Sequence, residues 1–324
     1  MSPFLDEAAR REHKRRNLLH SALLLGGLGA VLGLSAWLIW GWIGIIWAVV
    51  AILLVLSLAP NVSPQAVMRM YRAREVDPRF GGALADILTL LAERAELPAR
   101  PRLFVIPSST LNAFATGQPR HAAIAVTEGL LRCLTARELA GVLAHEISHI
   151  RNNDLWVMGL ADAISRFTTS LSYMAVLLAL FNGFALLTGE LYVSWWAVLV
   201  LYLAPTVSSL LQLALSRARE YDADLEGAWL TGDPTALASA LRRLERYTGS
   251  FWEDLMFPVP GRRIPQPSLL RSHPTTEERV ARLMQLDRRR LRPVIHVADE
   301  PLLSLFGSTR FGMRPRYRWP GIWF

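Results

Sequence analysis

The chain has 324 residues, of which 52% are hydrophobic and 19% are charged, and its formal net charge is +8. This composition is too apolar for a typical soluble protein of this length and favours a membrane protein. The positive charge could also suit a nucleic-acid-binding protein, but the sequence has no nucleic-acid-binding motif, so we expect no nucleic-acid partner. The single cysteine, Cys133, excludes an intrachain disulfide and a metal site built from several cysteines.

Residues 1–17 are polar and basic, and residues 18–59 form an apolar stretch that is too long for one membrane crossing. From residue 17 to residue 68 there is no Asp, Glu, Lys or Arg, whereas one crossing takes about 20 residues. The Trp40-Gly41-Trp42 sequence near the middle predicts a turn between two spans, with aromatic anchors at the far interface. A cleaved signal peptide is the alternative, but the length and the lack of a small-x-small cleavage pattern argue against it.

Residues 60–166 return to mixed polarity and predict the first part of a cytosolic domain with a small sheet. Gly82–Glu96 has the pattern of an amphipathic helix. Three strands are predicted, at Arg102–Pro107, Leu111–Thr116 and Ala122–Val126. An exposed strand of such a sheet could hold an extended peptide by main-chain hydrogen bonds, although the sheet could equally serve only to cover a helix.

The main chemical signal follows the third strand, where His145, Glu146 and His149 occur in the order H-E-x-x-H. On a helix the two histidines project from one face and can bind one metal ion, with Glu146 on an adjacent part of the same turn. Two neutral nitrogen ligands and a carboxylate that can accept a proton from water are what zinc-activated hydrolysis needs.

Local signals support the helix that this motif requires. Thr135 and Glu138 fit a capping box, and an apolar stripe follows them along the stretch that ends at Asp154. The alternative is that two histidines and a glutamate fell on one helix by chance. With only 7 His in the chain, we favour the metal site.

Residues 167–213 predict a second transmembrane hairpin, because Glu190 is the only formal charge between Phe167 and Ser216. The two spans fall at about 167–187 and 191–213, and a pair of buried core helices is the alternative. The clusters of positive charge lie outside the two short turns, at residues 10–16, 69–79, 100–102 and 217–219. The positive-inside rule therefore places both termini and the sheet in the cytoplasm, in keeping with four spans.

Residues 214–287 predict the second part of the cytosolic domain, beginning with a helical stretch that carries Glu220 and Asp224 on one face. A zinc site with two histidines and one glutamate keeps its fourth position open for water, and Glu220 is the candidate third ligand. Asp224 would then accept the outer N–H of a ligand histidine, which we predict to be His145. The alternative is a solvated acidic face paired with neighbouring arginines.

Four segments occur in one order, with two apolar spans between the second and the third: HAAIAVTEGLL, LAGVLAHEISHIRNND, SRAREYDAD and SHPTTEERVARL. Over roughly residues 18–286 the chain thereby resembles the HtpX-type membrane zinc metalloproteases, relatives of the eukaryotic CAAX-processing proteases. The resemblance implies a mainly α membrane protein with about four transmembrane helices and a cytosolic, zincin-like α+β catalytic domain of the gluzincin kind. It also implies one Zn²⁺ per chain and polypeptide substrates.

The resemblance assigns metal ligation to three residues: His145, His149 and Glu220. It makes Glu146 the general base, and it matches Asn112 and Ala113 to a substrate-binding edge strand. His273 matches a histidine near the cleft that would stabilise the tetrahedral intermediate. Alternatively, His273 is only a helix-entry residue, since Pro274 and the box after it would start a helix without it.

These features together predict a multi-pass protease of a bacterial inner membrane, with its active site on the cytoplasmic side and with membrane or misfolded proteins as substrates in quality control. Two rivals stay open: a narrow CAAX-type processing protease, and a non-proteolytic membrane scaffold that contains zinc. Glu146 argues against the scaffold, and four spans argue against the CAAX type. The basic and aromatic tail, residues 288–324, fits either a lipid-bound or a disordered segment. The sequence does not indicate an oligomeric state.

Overall fold

The computed structural model describes residues 4–58, 63–77, 82–188, 194–256, 275–286 and 291–297. The contacts divide this part of the chain into two compact units, one with the long apolar helices and one with a sheet and the shorter helices. Three predicted features lie wholly or mostly outside the described residues: the turn at Glu190, His273 and the tail at 288–324.

Within the described residues, three helices are long and apolar enough to cross a membrane. They are α1 (Phe4–Leu58), α6 (Asp154–Thr188) and α7 (Trp195–Thr231). Large hydrophobic side chains point outward along all three, among them Trp42, Phe181 and Trp196, whose exposed fractions are 75%, 63% and 76%. A helix that keeps such side chains on its surface needs an apolar solvent, which confirms the predicted membrane protein.

The long first helix reverses direction at Gly41. Gly41 has φ 60° and ψ −143°, which is not helical. A Cβ built on Gly44 would lie 2.1 Å from the carbonyl oxygen of Ala36, although eight residues of continuous helix would separate the two by about 12 Å. Ile52 likewise packs with Leu28 in one cluster. The turn predicted at Trp40-Gly41-Trp42 is therefore confirmed.

The second pair of apolar helices extends beyond the predicted spans. The sequence suggested a span from about residue 167, but α6 runs without a break from Asp154. In the polar segment between residue 154 and the predicted span, Asp162 and Arg166 form an i,i+4 ion pair at 2.6 Å, which adds a small stabilisation to the helix. In the same way α7 continues past residue 213 to Thr231 and tolerates Pro205 inside it.

The second unit contains a four-stranded mixed sheet in the order β1-β2-β4-β3. Its strands are β1 (Arg74–Glu75), β2 (Arg102–Ile106), β3 (Ala113–Thr116) and β4 (Ala123–Thr127). The three predicted strands are confirmed, while the two-residue β1 was not predicted. β2 and β4 are parallel, and β1 and β3 pair antiparallel at the two edges.

In the described part of the chain, six shorter helices accompany the sheet. They are α2 (Pro64–Met70), α3 (Gly82–Arg94), α4 (Glu128–Cys133), α5 (Ala136–Arg151), α8 (Pro234–Met256) and α9 (Thr276–Met284). The main core brings α3, β4 and α5 together through side chains such as Leu88, Ile124 and Leu143, all fully buried. Gly141 lets α5 approach α8 closely, since a Cβ there would lie 3.0 Å from Cα of Leu237.

The motif helix α5 begins and ends at identifiable signals. Thr135 and Glu138 form the predicted capping box, in which each side chain accepts a hydrogen bond from the other residue's backbone N–H. The helix ends at Arg151, and Asn153 follows with φ 57°. Asparagine tolerates this left-handed conformation better than most residues, so the chain turns here and α6 begins at Asp154.

Candidate metal centre

Helix α5 brings the rings of the two motif histidines, His145 and His149, into contact. The Nε2 atoms of His145 and His149 lie 3.2 Å apart, and the two rings meet edge to face with centroids at 4.7 Å. His145 is buried and His149 nearly so. The four-residue spacing puts both rings on one face of the helix, so their ring nitrogens converge on one point.

Helix α7 brings Glu220 to the same point. One carboxylate oxygen, Oε2, lies 3.6 Å from Nε2 of His145, and the other, Oε1, lies 3.9 Å from Nε2 of His149. The three ligand atoms lie within 4.8 Å of one another. Among the described residues, this is the one group of three or more such side chains that could hold a metal ion.

Two aspartates contact the outer nitrogens of these histidines. Oδ1 of Asp224 lies 3.1 Å from Nδ1 of His145, although the ring is not turned for a well-aligned hydrogen bond. Oδ2 of Asp154 lies 2.9 Å from Nδ1 of His149. Such acceptors keep the proton on Nδ1 and leave Nε2 free to bind a metal ion.

Asp154 is a functional residue that our reading of the sequence missed. It closes the motif segment five residues after His149, and the turn at Asn152 and Asn153 brings its carboxylate back to that ring. The signal in the sequence was weak, because the contact depends on the left-handed conformation of Asn153. Burial would lower the pKa of His149, but the hydrogen bond to Asp154 and the charges of Glu146 and Glu220 raise it to about 9.

Arg279, on α9, was also missed. Its Nε and Nη2 donate to the two carboxylate oxygens of Asp224, each at 2.6 Å, and its Nη1 lies 3.3 Å from Oε2 of Glu220. Burial opposes the charged form of Arg279, but the two carboxylates raise its pKa. Burial likewise opposes the charge of Asp224, whereas Arg279 and His145 lower its pKa. No local pattern marks this pair, because 55 residues separate its members.

Glu146 lies between the histidine pair and the edge strand β3. Burial raises the pKa of Glu146, while the two histidines and a hydrogen bond from the backbone of Ala115 act in the opposite direction. A carboxyl group whose pKa is moved toward neutrality beside a cluster of metal-type ligands is suited to accept and return a proton.

The predicted substrate strand lies at the open edge of the sheet. The backbone N–H of Thr127 donates to the carbonyl of Asn112 at 3.0 Å, so Asn112 uses its backbone to pair with β4. Antiparallel pairs alternate, and the backbone groups of Ala113 and Ala115 therefore face away from β4. Of the predicted site residues, His273 alone lies outside the described part of the chain.

The sequence of this chain matches known proteins over most of its length. The pattern of peptidase family M48 covers residues 79–287. The "Protease HtpX homolog" of Desulfatibacillum aliphaticivorans is 36% identical over 82% of this chain and 89% of its own length. The homologues from Acaryochloris marina and Thermococcus kodakarensis are 41% and 42% identical, over 83% and 69% of this chain and 92% and 80% of their own lengths.

A solved structure is also similar. The crystal structure of S. mikatae Ste24p aligns with a TM-score of 0.48 and 21% identity, over 84% of this chain and 66% of that chain. The family pattern and the identities to the curated homologues carry the assignment. This chain belongs to peptidase family M48, as a membrane-associated metalloprotease of the HtpX type.

Proposed function

We propose that this protein is a zinc-dependent endopeptidase that hydrolyses peptide bonds of membrane or misfolded proteins at the cytoplasmic face of a bacterial inner membrane, as part of protein quality control. The observation that carries the proposal is the convergence of three ligand-type side chains beside Glu146: His145, His149 and Glu220. Two imidazoles and one carboxylate, with a fourth position left to water, form a typical catalytic zinc set.

The donor set fits one zinc ion per chain. The two Nε2 atoms face each other at 3.2 Å, and the carboxylate of Glu220 lies within 4 Å of both. Asp224 and Asp154 hold the outer nitrogens, as partners of metal-bound histidines commonly do. When bound, zinc would supply Lewis-acid chemistry and would lower the pKa of water toward neutrality.

The residues of the chain then carry the remaining steps. Glu146 would accept a proton from the attacking water on its carboxylate and pass it to the nitrogen of the leaving amine. Asn112 and Ala113 would mark the edge along which the substrate lies as an added strand, and the main-chain groups of Ala113, which face away from β4, would make the hydrogen bonds that orient the scissile peptide. His273 would donate a hydrogen bond to the oxyanion of the tetrahedral intermediate.

The course of α7 supports membrane-bound substrates. The apolar stretch of this helix ends near residue 213, and Glu220 follows seven residues later in the same helix, which is about 10 Å at 1.5 Å per residue. The clusters of arginine at both ends of the apolar stretches favour a cytoplasmic location for this region. A catalytic centre that follows a membrane span so closely would be more accessible to membrane proteins and their cytosolic loops than to freely soluble proteins.

The test is proteolysis by the purified protein reconstituted in liposomes, after metal removal and after zinc is added back. We expect zinc to restore cleavage, and a membrane-inserted substrate to be cleaved faster than a soluble protein with the same cleavage sequence. Equal cleavage of both would contradict the membrane-substrate part. Preferential cleavage of a prenylated peptide over its unmodified counterpart would favour a CAAX-type enzyme instead. Zinc binding without cleavage of any substrate would favour a scaffold.

A further inference from the structure

A carboxylate outside the ligand set ties the ligand helix α7 to the motif helix α5. Glu226 accepts hydrogen bonds on both oxygens: Oε1 from Nη1 of Arg151 at 2.5 Å, and Oε2 from Oγ of Ser148 at 2.9 Å and from Nδ2 of Asn152 at 2.5 Å. These three donors belong to the last turn of α5 and its C-cap. Ser148 directly precedes the ligand His149 and has no exposed surface.

The next residue brings the same two helices into backbone contact. A Cβ built on Gly227 would lie 3.1 Å from the backbone nitrogen of His145 and 3.3 Å from its Cα. These distances are tighter than those that ordinary side chains adopt, so an alanine would force the helices apart by a few tenths of an ångström. Gly227 follows Glu220 by seven residues, which at 100° per residue places it on the same face of α7.

The two contacts control two different movements of α7. The close approach at Gly227 sets the distance between the helices beside His145, while the hydrogen bonds of Glu226 set the rotation and the axial position of α7 beside His149. Glu220 lies less than two turns away on the same continuous helix. Because an α-helix is rigid over two turns, a shift at residues 226–227 moves the Glu220 carboxylate relative to both imidazoles.

The charge arrangement around Glu226 favours one fixed geometry. The side chains of Glu226 and Arg151 are each 16% exposed, so their ion pair is largely removed from water. A partly buried carboxylate needs all its donors, since loss of one leaves charge without compensation. The C-terminus of α5, with its partial negative charge, would repel Glu226 without the donors from Arg151 and Asn152.

We infer that Glu226, together with the close contact at Gly227, is a positioning residue for the metal ligand Glu220. It holds the carboxylate of Glu220 at the distance and orientation at which it can share one ion with the two histidines. This inference rests on the proposed zinc site, and it adds to that site a determinant, Glu226, that is not itself a ligand.

The test is zinc affinity of the full-length protein in detergent, measured by competition with a chelator, for the parent, Glu226→Ala and Glu226→Gln. The absorption spectrum of the cobalt-loaded protein reports the ligand geometry independently. We expect Glu226→Ala to bind zinc roughly tenfold more weakly, the lower end of the range for residues that support ligands. Its cobalt spectrum is expected to change. Glu226→Gln keeps the shape and tests the charge if Glu226→Ala fails to fold.

A matched control uses the other carboxylate near Arg151. Oε2 of Glu96 lies 3.7 Å from Nη2 of Arg151, and its side chain is 69% exposed. Glu96→Gln removes a charge from the same arginine without touching the contact between α5 and α7, and we expect parent-like zinc affinity.

The outcomes separate this inference from the function on which it rests. Parent-like zinc affinity and an unchanged cobalt spectrum in folded Glu226 variants, even with lower thermal stability, would overturn the inference alone. A parent protein that binds no zinc would overturn the proposed function and the inference with it. Weaker binding in the Glu226 variants but not in Glu96→Gln supports both.

Discussion

Each of the two units of this protein is stabilised internally by a different kind of contact. In the membrane unit, several hydroxyl groups return their hydrogen bonds to their own helix, as Thr168 does to the carbonyl of Ile164. Its helices meet through apolar clusters and through polar contacts such as that between the hydroxyls of Ser165 and Ser208. In the second unit, charged pairs join distant segments: Arg279 with Asp224, and Arg151 with Glu226. The apolar composition of the helices therefore accounts for much of the packing in the first unit. The packing of the second unit depends in addition on particular pairs of charged residues.

Removal of Arg279 is the most severe test of this contrast. Arg279→Met leaves the carboxylates of Asp224 and Glu220 in a largely buried site without their cation, and breaking such a pair costs about 3–5 kcal/mol. We expect chemical denaturation in detergent to show a loss of this size in the free energy of unfolding of the second unit.

Arg282→Met, on the same helix, is the matched control. Its guanidinium lies 3.7 Å from the centroid of the Tyr221 ring at an exposed position, where such contacts contribute about 0.5–1 kcal/mol. Equal losses of unfolding free energy from Arg279→Met and Arg282→Met would show that the buried ion pair of Arg279 contributes no more than an exposed contact.

Zinc binding is expected to weaken as the pH falls. Because the pKa of His149 in the metal-free protein is raised to about 9, its ring is protonated at neutral pH and must lose a proton to bind zinc. We expect the apparent affinity to fall about tenfold for each pH unit from 9 down to 7. Isothermal titration in buffers of different ionisation enthalpy would detect the released proton. Affinity that is flat across this range would contradict the raised pKa.

A backbone substitution tests the membrane unit, where packing and the turn dominate. Gly41 has φ +60°, and an alanine in such a conformation costs about 1–3 kcal/mol. Gly26 lies inside the same helix with open space around it, so Gly26→Ala is expected to be neutral or stabilising. Unfolding by SDS in mixed micelles should separate the two variants, and equal behaviour would argue against the reversal at Gly41.

The smallest predicted effect lies in the segment after α9. The guanidinium of Arg292 lies 3.9 Å from the centroid of the Trp229 ring and donates to the carbonyl of Arg94 at 3.0 Å. We expect Arg292→Ala to lower the stability of the second unit by about 1 kcal/mol. Val294→Ala, at a 46% exposed position of the same segment, serves as control and should change the melting temperature little.

The same contrast explains how much the sequence could predict. The long apolar helices, the motif helix and three of the strands followed from local periodicity, caps and charge-free stretches, and so did the turn at Gly41. The H-E-x-x-H spacing predicted that His145 and His149 would meet, because four residues of helix require it. Glu220 came from a second helical pattern and from the resemblance.

The missed residues share a physical reason. Arg279 and Glu226 act through partners 55 and 75 residues away, and such separations leave no periodic trace in one sequence. Each also carries a charge that, in isolation, fits a solvated surface. Asp154 lies only five residues from His149 in the sequence. Its contact with the His149 ring nevertheless depends on the left-handed turn at Asn153, which the sequence analysis did not predict. Long-range charge pairing thus needs the fold before it can be recognised.

The proposed function depends above all on Glu146, which would transfer protons at a zinc site formed by the chain's own residues. Its most direct test is Glu146→Gln, which keeps the shape of the side chain but removes its basicity. We predict parent-like zinc content and melting temperature, with cleavage slowed by about 10²–10⁴-fold. Cleavage by zinc-loaded Glu146→Gln at the parent rate would contradict the account.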